Sequence, residues 1–341
     1  MAQRAFLLGG TGKTGRRLAA LLGDRGWNVV VASRGEQPVP KGLDHVRVDR
    51  NEPESLRDAL GGGADVLVDF VAFEPEHADQ LLALRDVVGS VVVVSSGAVY
   101  ADAAGRSLEA VRDGEVVEFP LPISERQPTV ALGADTYSSK KAAIERRLLD
   151  QRALPATVVR AGAIYGPGDL NSREWHFVKR ALDGRRVIVL SHGGASRFHP
   201  VAVDNLAELL RLAAERPATR VVNAGDPEPP TVLEISRLIS RHLGHEWTEV
   251  LLPGPPHADV VGANPWGVPR PWVMDMTEAE LQLAYRPVTT YARAVGATVD
   301  WLVDATKGRD WREVLPRAAE VYANLFDYDA EDGFLRSFAD G

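Results

Sequence analysis

The chain has 341 residues, 45% hydrophobic and 25% charged, with a formal net charge of -8, the values of an ordinary globular protein. It contains no cysteine, which excludes disulfides, thiolate nucleophiles and Cys-based metal sites together. No basic stripe accompanies the acidic balance, so binding of nucleic acid through its phosphates is not expected.

The N-terminus runs straight into an apolar strand at Ala5–Leu8, without the leader pattern of a secreted protein. No apolar run nears the roughly 20 residues of a membrane span. A cytoplasmic protein with no membrane partner is therefore expected. Further strands are predicted at Asn28–Ala32, His45–Val48, Val66–Phe70 and Ser90–Val94, with helices at Thr14–Asp24, Pro53–Leu60 and Glu76–Leu84 between them. Pro53 suits a first helical turn. The strands are continuous Val/Leu runs, as in a parallel sheet covered on both faces. The polar stretch Ala101–Ala134, with Pro120, Pro122 and Pro128, reads as a loop. A helix at Tyr137–Arg152 and a strand at Thr157–Ala161 follow.

After Gly166-Pro167-Gly168 the texture changes. A helix is predicted at Trp175–Leu182 and a strand at Val187–Leu190; His199–Val203 then leads into a helix at Asn205–Glu215 and a strand at Val221–Ala224. From Asp226 on prolines multiply, among helices at Val232–Leu243, Glu278–Leu283, Ala292–Val303 and Glu313–Phe326. The fold class expected is α/β: a Rossmann-type doubly wound parallel sheet with a smaller C-terminal substrate lobe. Residues 1–170 form the nucleotide-binding domain, with 198–225 returning to it. Residues 171–197 and 226–341 form the lobe and tail.

Chemistry enters at Gly9-Gly10-Thr11-Gly12-Lys13-Thr14-Gly15, between the first strand and first helix. Gly10, Gly12 and Gly15 fit G-x-G-x-x-G; Gly9, Gly12 and Gly15 fit G-x-x-G-x-x-G. A helix start bared by glycines cradles a pyrophosphate, which makes Gly9, Thr11, Gly12, Lys13, Thr14 and Gly15 candidate cofactor contacts. Gly12-Lys13-Thr14 also spells the end of an NTPase phosphate loop. That motif needs a glycine five positions earlier, where Leu7 stands inside the strand. At the end of the second strand, Ser33 occupies the place of an acidic ribose partner and Arg34 follows, which favours NADP. Glu36 keeps NAD open.

Tyr137 and Lys141 stand at i and i+4, on one helix face. A neighbouring cation is expected to lower the phenol's pKa and fit it for proton transfer.

With these motifs placed, the chain resembles the extended short-chain dehydrogenases/reductases, the NAD(P)-dependent epimerase/dehydratase group. Ser96-Gly97-Ala98-Val99-Tyr100 resembles its Ser-x-x-Val-Tyr segment, which assigns Ser96 as the catalytic serine beside Tyr137 and Lys141. Ile123-Ser124-Glu125, Arg160 with Ile164-Tyr165-Gly166-Pro167-Gly168, and Phe198–Ala207 match further segments in order. Within the group, Arg34-Gly35, Asp49-Arg50-Asn51 and Asp69–Glu74 are most similar to bacterial relatives of chloroplast stem-loop-binding proteins, some of which are linked to RNA. The resemblance implies cofactor contacts at Asp49, Val71, Ala72, Ser95, Tyr137, Lys141, Ala161 and Ala163. One departure stands out: Asp69-Phe70-Val71-Ala72 replaces the common His-x-Ala-Ala.

Tyr165 and Arg197 are candidate substrate contacts; the resemblance implies a phosphate-binding role for Arg197, toward a nucleotide-sugar pyrophosphate, with a surface ion pair as its competing reading. Trp175 and His176 are candidates for the same pocket, with packing as the alternative. The histidines show no metal spacing, so no metal is expected. Glu76–Leu84 and Ser138–Arg152 would form a homodimer seam in the family; core packing leaves the same pattern. The function expected is NAD(P)-dependent hydride transfer, through Ser96, Tyr137 and Lys141, on a carbonyl or secondary alcohol of a sugar or secondary-metabolite intermediate. The alternatives are a nucleotide-sugar epimerase or dehydratase holding NAD, and a cofactor-sensing or RNA-associated protein without activity.

Overall fold

The computed structural model describes residues 2–35, 39, 42–52, 54–258 and 260–339. Glu36 and Pro53 lie outside the described residues. In chain order the elements begin β1 (Arg4–Leu8), α1 (Lys13–Gly23), β2 (Asn28–Ser33), β3 (Asp44–Arg47), α2 (Ser55–Leu60), β4 (Val66–Asp69), α3 (Glu76–Leu82), β5 (Val91–Ser96), α4 (Tyr137–Leu149) and β6 (Ala156–Ala161). They continue with β7 (Ala163–Tyr165), α5 (Trp175–Leu182), β8 (Val187–Leu190), β9 (Pro200–Ala202), α6 (Val203–Glu215), β10 (Arg220–Ala224), α7 (Val232–His242) and β11 (Thr248–Leu251). The last are α8 (Thr277–Leu283), α9 (Tyr291–Thr306), α10 (Trp311–Val314), α11 (Pro316–Tyr322) and α12 (Tyr328–Ala339).

The chain divides into two compact units. The first comprises Met1–Ile164, Val203–Gly225 and Met274–Val288. Its seven strands are parallel and ordered β10-β6-β5-β4-β1-β2-β3. That is the Rossmann-type order, in which the chain reverses direction between β1 and β4 and opens a crevice at their carboxyl ends. The register sets Leu8 opposite both Ala32 and Asp69, so the glycine loop starts level with the ends of β2 and β4. Apolar side chains are buried on both faces of these strands, which explains the missing alternation: Phe6, Leu8, Val30, Leu67, Val91 and Val93 join Leu81, Ile144 and Leu148 on one face, and Leu7, Val31, Val68 and Val92 are buried on the other. The helix α4 starts sharply because Thr136 and Ser139 form a reciprocal capping box.

The segment around α8 was expected in the lobe, yet it belongs to this unit. Specific bonds hold it there: the Asn223 amide donates to the Asp275 carbonyl at 3.0 Å, and the Val288 N–H donates to Asn205 at 2.8 Å. Leu283 also accepts from Arg216.

The second unit holds Tyr165–Ala202, Asp226–Val273 and Thr289–Gly341. Strands β8 and β11 pair in parallel, Val187 to Thr248 through Leu190 to Leu251. The predicted helix Glu313–Phe326 is broken: Leu315 leaves helical geometry and Pro316 restarts the chain as the first residue of α11. The final helix α12 is bound to the unit by charge. Glu331, 2% exposed, accepts from Arg180 at 3.1 Å and Arg185 at 2.9 Å, and Asp332 takes Arg185 as well. Among the described residues no helix is long and apolar enough to cross a membrane.

Candidate active site

The glycine loop leaves β1 through a tight turn. Gly9 donates to Ala32 at 2.8 Å, Gly10 to Leu7 at 3.1 Å and Gly12 to Gly9 at 3.2 Å. Gly9 has φ +82, and a Cβ there would meet Val71 Cγ1 at 2.8 Å. A Cβ on Gly10 would meet Leu7 at 2.8 Å, and one on Gly15 would meet the Gly10 backbone at 2.5 Å. Those three glycines are demanded by the protein itself. Gly12 is different: its φ is -70, and an added Cβ would approach only the Gly9 carbonyl, at an ordinary 3.5 Å. It is the N-cap of α1, with no side-chain cap and no acidic residue in the first turn. An open, uncapped helix start whose glycine the fold does not require fits a dinucleotide's phosphates. The Lys13 ammonium crosses to the Ile164 carbonyl at 3.2 Å; Thr11 and Thr14 are buried.

At the end of β2, Ser33 Oγ lies 2.9 Å from His45 Nε2, and Arg34 is exposed. Asp49 is half-buried and accepts the Asn51 N–H at 3.0 Å.

Ser96 closes β5, Tyr137 opens α4, and Lys141 follows one turn later. Ser96 accepts the Ala98 N–H at 3.1 Å. Lys141 is only 2% exposed. Its ammonium donates to the Ala72 carbonyl at 2.8 Å and the Val94 carbonyl at 3.0 Å, and it lies 4.8 Å from the Phe73 ring centre and 5.7 Å from that of Tyr137. Burial pulls its pKa down to about 8, against the pull of Asp69 and Glu145.

The lowering expected for Tyr137 is reversed. Tyr137 is 44% exposed, yet desolvation of its phenol pushes its pKa up, Glu109 and Glu145 push the same way, and the Ser96 hydroxyl favours the phenolate. Lys141 is turned onto two carbonyls instead of the phenol oxygen, which is why its charge does not dominate.

The segments after β5, before α4 and in β6 converge behind these residues. Ser95 donates to Glu145 at 2.5 Å, and Arg160 holds Glu145 at 2.7 Å. Arg160 also lies 4.8 Å from the Tyr100 ring centre, the Tyr100 hydroxyl donates to Asn223 at 2.6 Å, and the Asn223 N–H donates to Glu125 at 2.7 Å. Burial raises the Glu125 pKa. Ala161 ends β6 and Ala163 begins β7, both buried. Sequence reasoning missed Glu145, Asp69 and Glu109. For Glu145 a signal existed, since 137, 141 and 145 continue one helix face. For Asp69 the signal was its place at the head of the segment that departs from the family's His-x-Ala-Ala; for Glu109 there was none in local spacing.

The other candidates lie in the second unit. The Tyr165 hydroxyl donates to Asp226 at 2.7 Å, and its ring packs on Tyr291. Trp175 packs on Trp311. His176 is buried among Phe177, Phe326 and Arg180, and burial holds its pKa well below the usual value. Arg197 donates to the Pro229 carbonyl and faces Glu234 at 3.9 Å. Among the described residues no group of three or more His, Asp or Glu side chains could hold a metal ion.

A glycine loop at the switch point of a parallel sheet, with an uncapped helix behind it, defines a Rossmann-type dinucleotide-binding protein. The profile of the NAD dependent epimerase/dehydratase family matches residues 5–225, and the chain belongs to that family. It is 29% identical over 266 residues to 2'-dehydrokanamycin reductase of Streptomyces kanamyceticus, covering 73% of this chain and 69% of that one. It is 24% identical over 208 residues to the chloroplast stem-loop binding protein of 41 kDa b of Arabidopsis thaliana, covering 56% of this chain and 50% of that one. The structure of a dTDP-glucose 4,6-dehydratase from Bacillus anthracis in complex with NAD superposes with a TM-score of 0.67 at 18% identity, covering 90% of this chain and 99% of that one. At that identity the likeness is one of fold. The chain is an enzyme of the oxidoreductase and epimerase type, using a nicotinamide cofactor.

Proposed function

We propose that the chain is an NADP-linked reductase of a carbonyl compound, with Ser96, Tyr137 and Lys141 as its catalytic residues. The carrying observation is the contact series from loop to lysine: Gly9 abuts Val71, and the next residue, Ala72, accepts the Lys141 ammonium at 2.8 Å. Bound nicotinamide supplies the hydride. Gly12 and the start of α1 would take its phosphates, Lys141 its ribose hydroxyls, and Arg34 a 2'-phosphate. Tyr137, with its pKa raised by desolvation, is a full phenol at neutral pH. It donates its proton to the substrate oxygen as the carbon is reduced, a general-acid contribution of about 10²–10⁴-fold. Ser96 orients that oxygen with its hydroxyl dipole.

The test is substrate-dependent loss of the reduced-nicotinamide absorbance with a panel of ketones, including keto-sugars. Tyr137→Phe should abolish it while binding NADPH normally, and an undiminished rate would refute the assignment. Arg34→Ala should weaken NADPH binding more than NADH binding. A purified chain that retains NAD and interconverts a nucleotide sugar without added cofactor would replace this reading with the epimerase one. A homodimer through α3 and α4 belongs to the same proposal; a monomer in sedimentation equilibrium removes it.

A further inference from the structure

Two buried ion pairs face Lys141. One is Glu145–Arg160, on its own helix and β6, at 2.7 Å. The other is Arg50–Asp69, with side chains 9% and 0% exposed. One Arg50 nitrogen donates to both Asp69 oxygens, at 3.0 and 2.8 Å, and Gln80 of α3 donates to the Arg50 carbonyl at 2.9 Å. A buried pair rarely adds net stability, because desolvation offsets the attraction. This one has a second attachment. Asp69 Oδ1 accepts the Val71 N–H at 2.8 Å, the turn geometry by which an Asp folds the backbone after it. His77 of α3 accepts the Phe73 and Glu74 N–H groups at 3.0 and 3.1 Å, fixing the far end of the same segment. Between these clamps lies the Ala72 carbonyl that takes the Lys141 ammonium at 2.8 Å.

We propose that Asp69 and Arg50 are positioning residues for Lys141: the Arg50-anchored carboxylate fixes the segment Asp69–Ala72 and seats the lysine ammonium on the Ala72 carbonyl at the cofactor crevice. This rests on Lys141 being the cation of that crevice. The charged groups facing Lys141 are Asp69, Arg50 and Glu145; Asp69 and Glu145 favour its protonation, while burial and Arg50 oppose it. His77 faces the same pair from α3. The two members of the pair therefore act on Lys141 with opposite sign.

The chain has six lysines, so NMR of the full-length protein labelled with [13C]lysine can follow each one, with Lys141→Arg assigning the signal. The parent midpoint is expected near about 8. Asp69→Asn should lower it by about one unit and Arg50→Met should raise it. The opposite signs report the two charges acting on Lys141, and the NADPH affinity of the double variant reports the seating of its ammonium. Asp69→Ala/Arg50→Met leaves no lone buried charge and keeps the question open to test if a single variant fails to fold. In it the midpoint should fall, since Asp69 acts on Lys141 more strongly than Arg50. NADPH affinity, read by quenching of tryptophan emission, should fall about tenfold, the loss of roughly one hydrogen bond. Single-variant midpoints that stay at the parent value or move the same way overturn the proposal, as does parental NADPH affinity in the double variant. A parent that binds no nicotinamide cofactor overturns the crevice assignment instead, while the lysine titration still decides the role of the pair.

Discussion

Gly12 and Gly15 are three residues apart, at the N-cap and in the first turn of α1, yet alanine at each should fail differently. At Gly15 the new methyl would sit 2.5 Å from the Gly10 Cα and 2.6 Å from its carbonyl oxygen. Both are backbone atoms, so no side chain can swing away. Alanine is a better helix former than glycine by about 1 kcal/mol. That gain is smaller than the cost of an overlap, about 1–3 kcal/mol or more where backbone must move. At Gly12 the methyl meets one atom at 3.5 Å, and φ of -70 suits any residue. The fold loses only the N-cap preference of glycine over alanine, on the order of 0.5–1 kcal/mol. The phosphate that should occupy that space loses much more. Displacing it from one charge-assisted hydrogen bond costs about 1.5–3 kcal/mol, or roughly 10–100-fold in affinity. Thermal melting and NADPH titration of both variants check this. Gly12→Ala should melt within about 4 °C of the parent and bind NADPH at least tenfold more weakly, whereas Gly15→Ala should lose stability first. A Gly12→Ala protein with parental affinity would show that no ligand approaches Gly12, and the phosphate assignment would fall.

Ser96→Ala should cut turnover about 10²-fold or more with NADPH affinity unchanged, as measured by stopped-flow and equilibrium titration. Glu145→Gln should destabilise the chain by about 3–5 kcal/mol because Arg160 stays buried without its anion; Glu145→Gln/Arg160→Met should recover most of it in urea denaturation. His199 donates from Nε2 to the Asp226 carbonyl at 2.7 Å, and burial holds its pKa down at about 4. The unfolded chain thus binds the extra proton first, near pH 6.5, so His199 stabilises the fold above that pH. The contribution should fade as pH drops from 6.5 towards 4, by about 3 kcal/mol. His199→Gln should flatten the acid limb of stability against pH, and an unaltered limb would show that His199 is not the group responsible. Glu331→Gln should leave Arg180 and Arg185 without their shared buried anion and expose α12 to limited proteolysis, detected as cleavage between α11 and α12.

Several elements were legible from neighbouring residues alone. The apolar runs of β1, β2, β4 and β5, the amphipathic α5 and the Thr136 cap of α4 each depend on residues within a few positions of one another. The break at Leu315 was legible too, through Pro316, but the predicted helix ran past it. The strand β11 has too short an apolar run to stand out from the prolines around it. The assignment of α8 to the first unit came from bonds to Asn205, Arg216 and Asn223, which lie some 50 to 80 positions away along the chain.

The sequence by itself determined the glycine loop, the spacing of Tyr137 and Lys141, and the family. These are patterns within single elements or in their order, and backbone geometry converts such spacing directly into a face or a turn. Only the tertiary structure decided the charge chemistry. Tyr137 is pushed up, Lys141 is pulled down, and the carboxylates that steady Lys141 are Asp69 and Glu145, each already joined to an arginine. A protonation state depends on burial and on partners from other strands, and those exist only once the chain has crossed over itself.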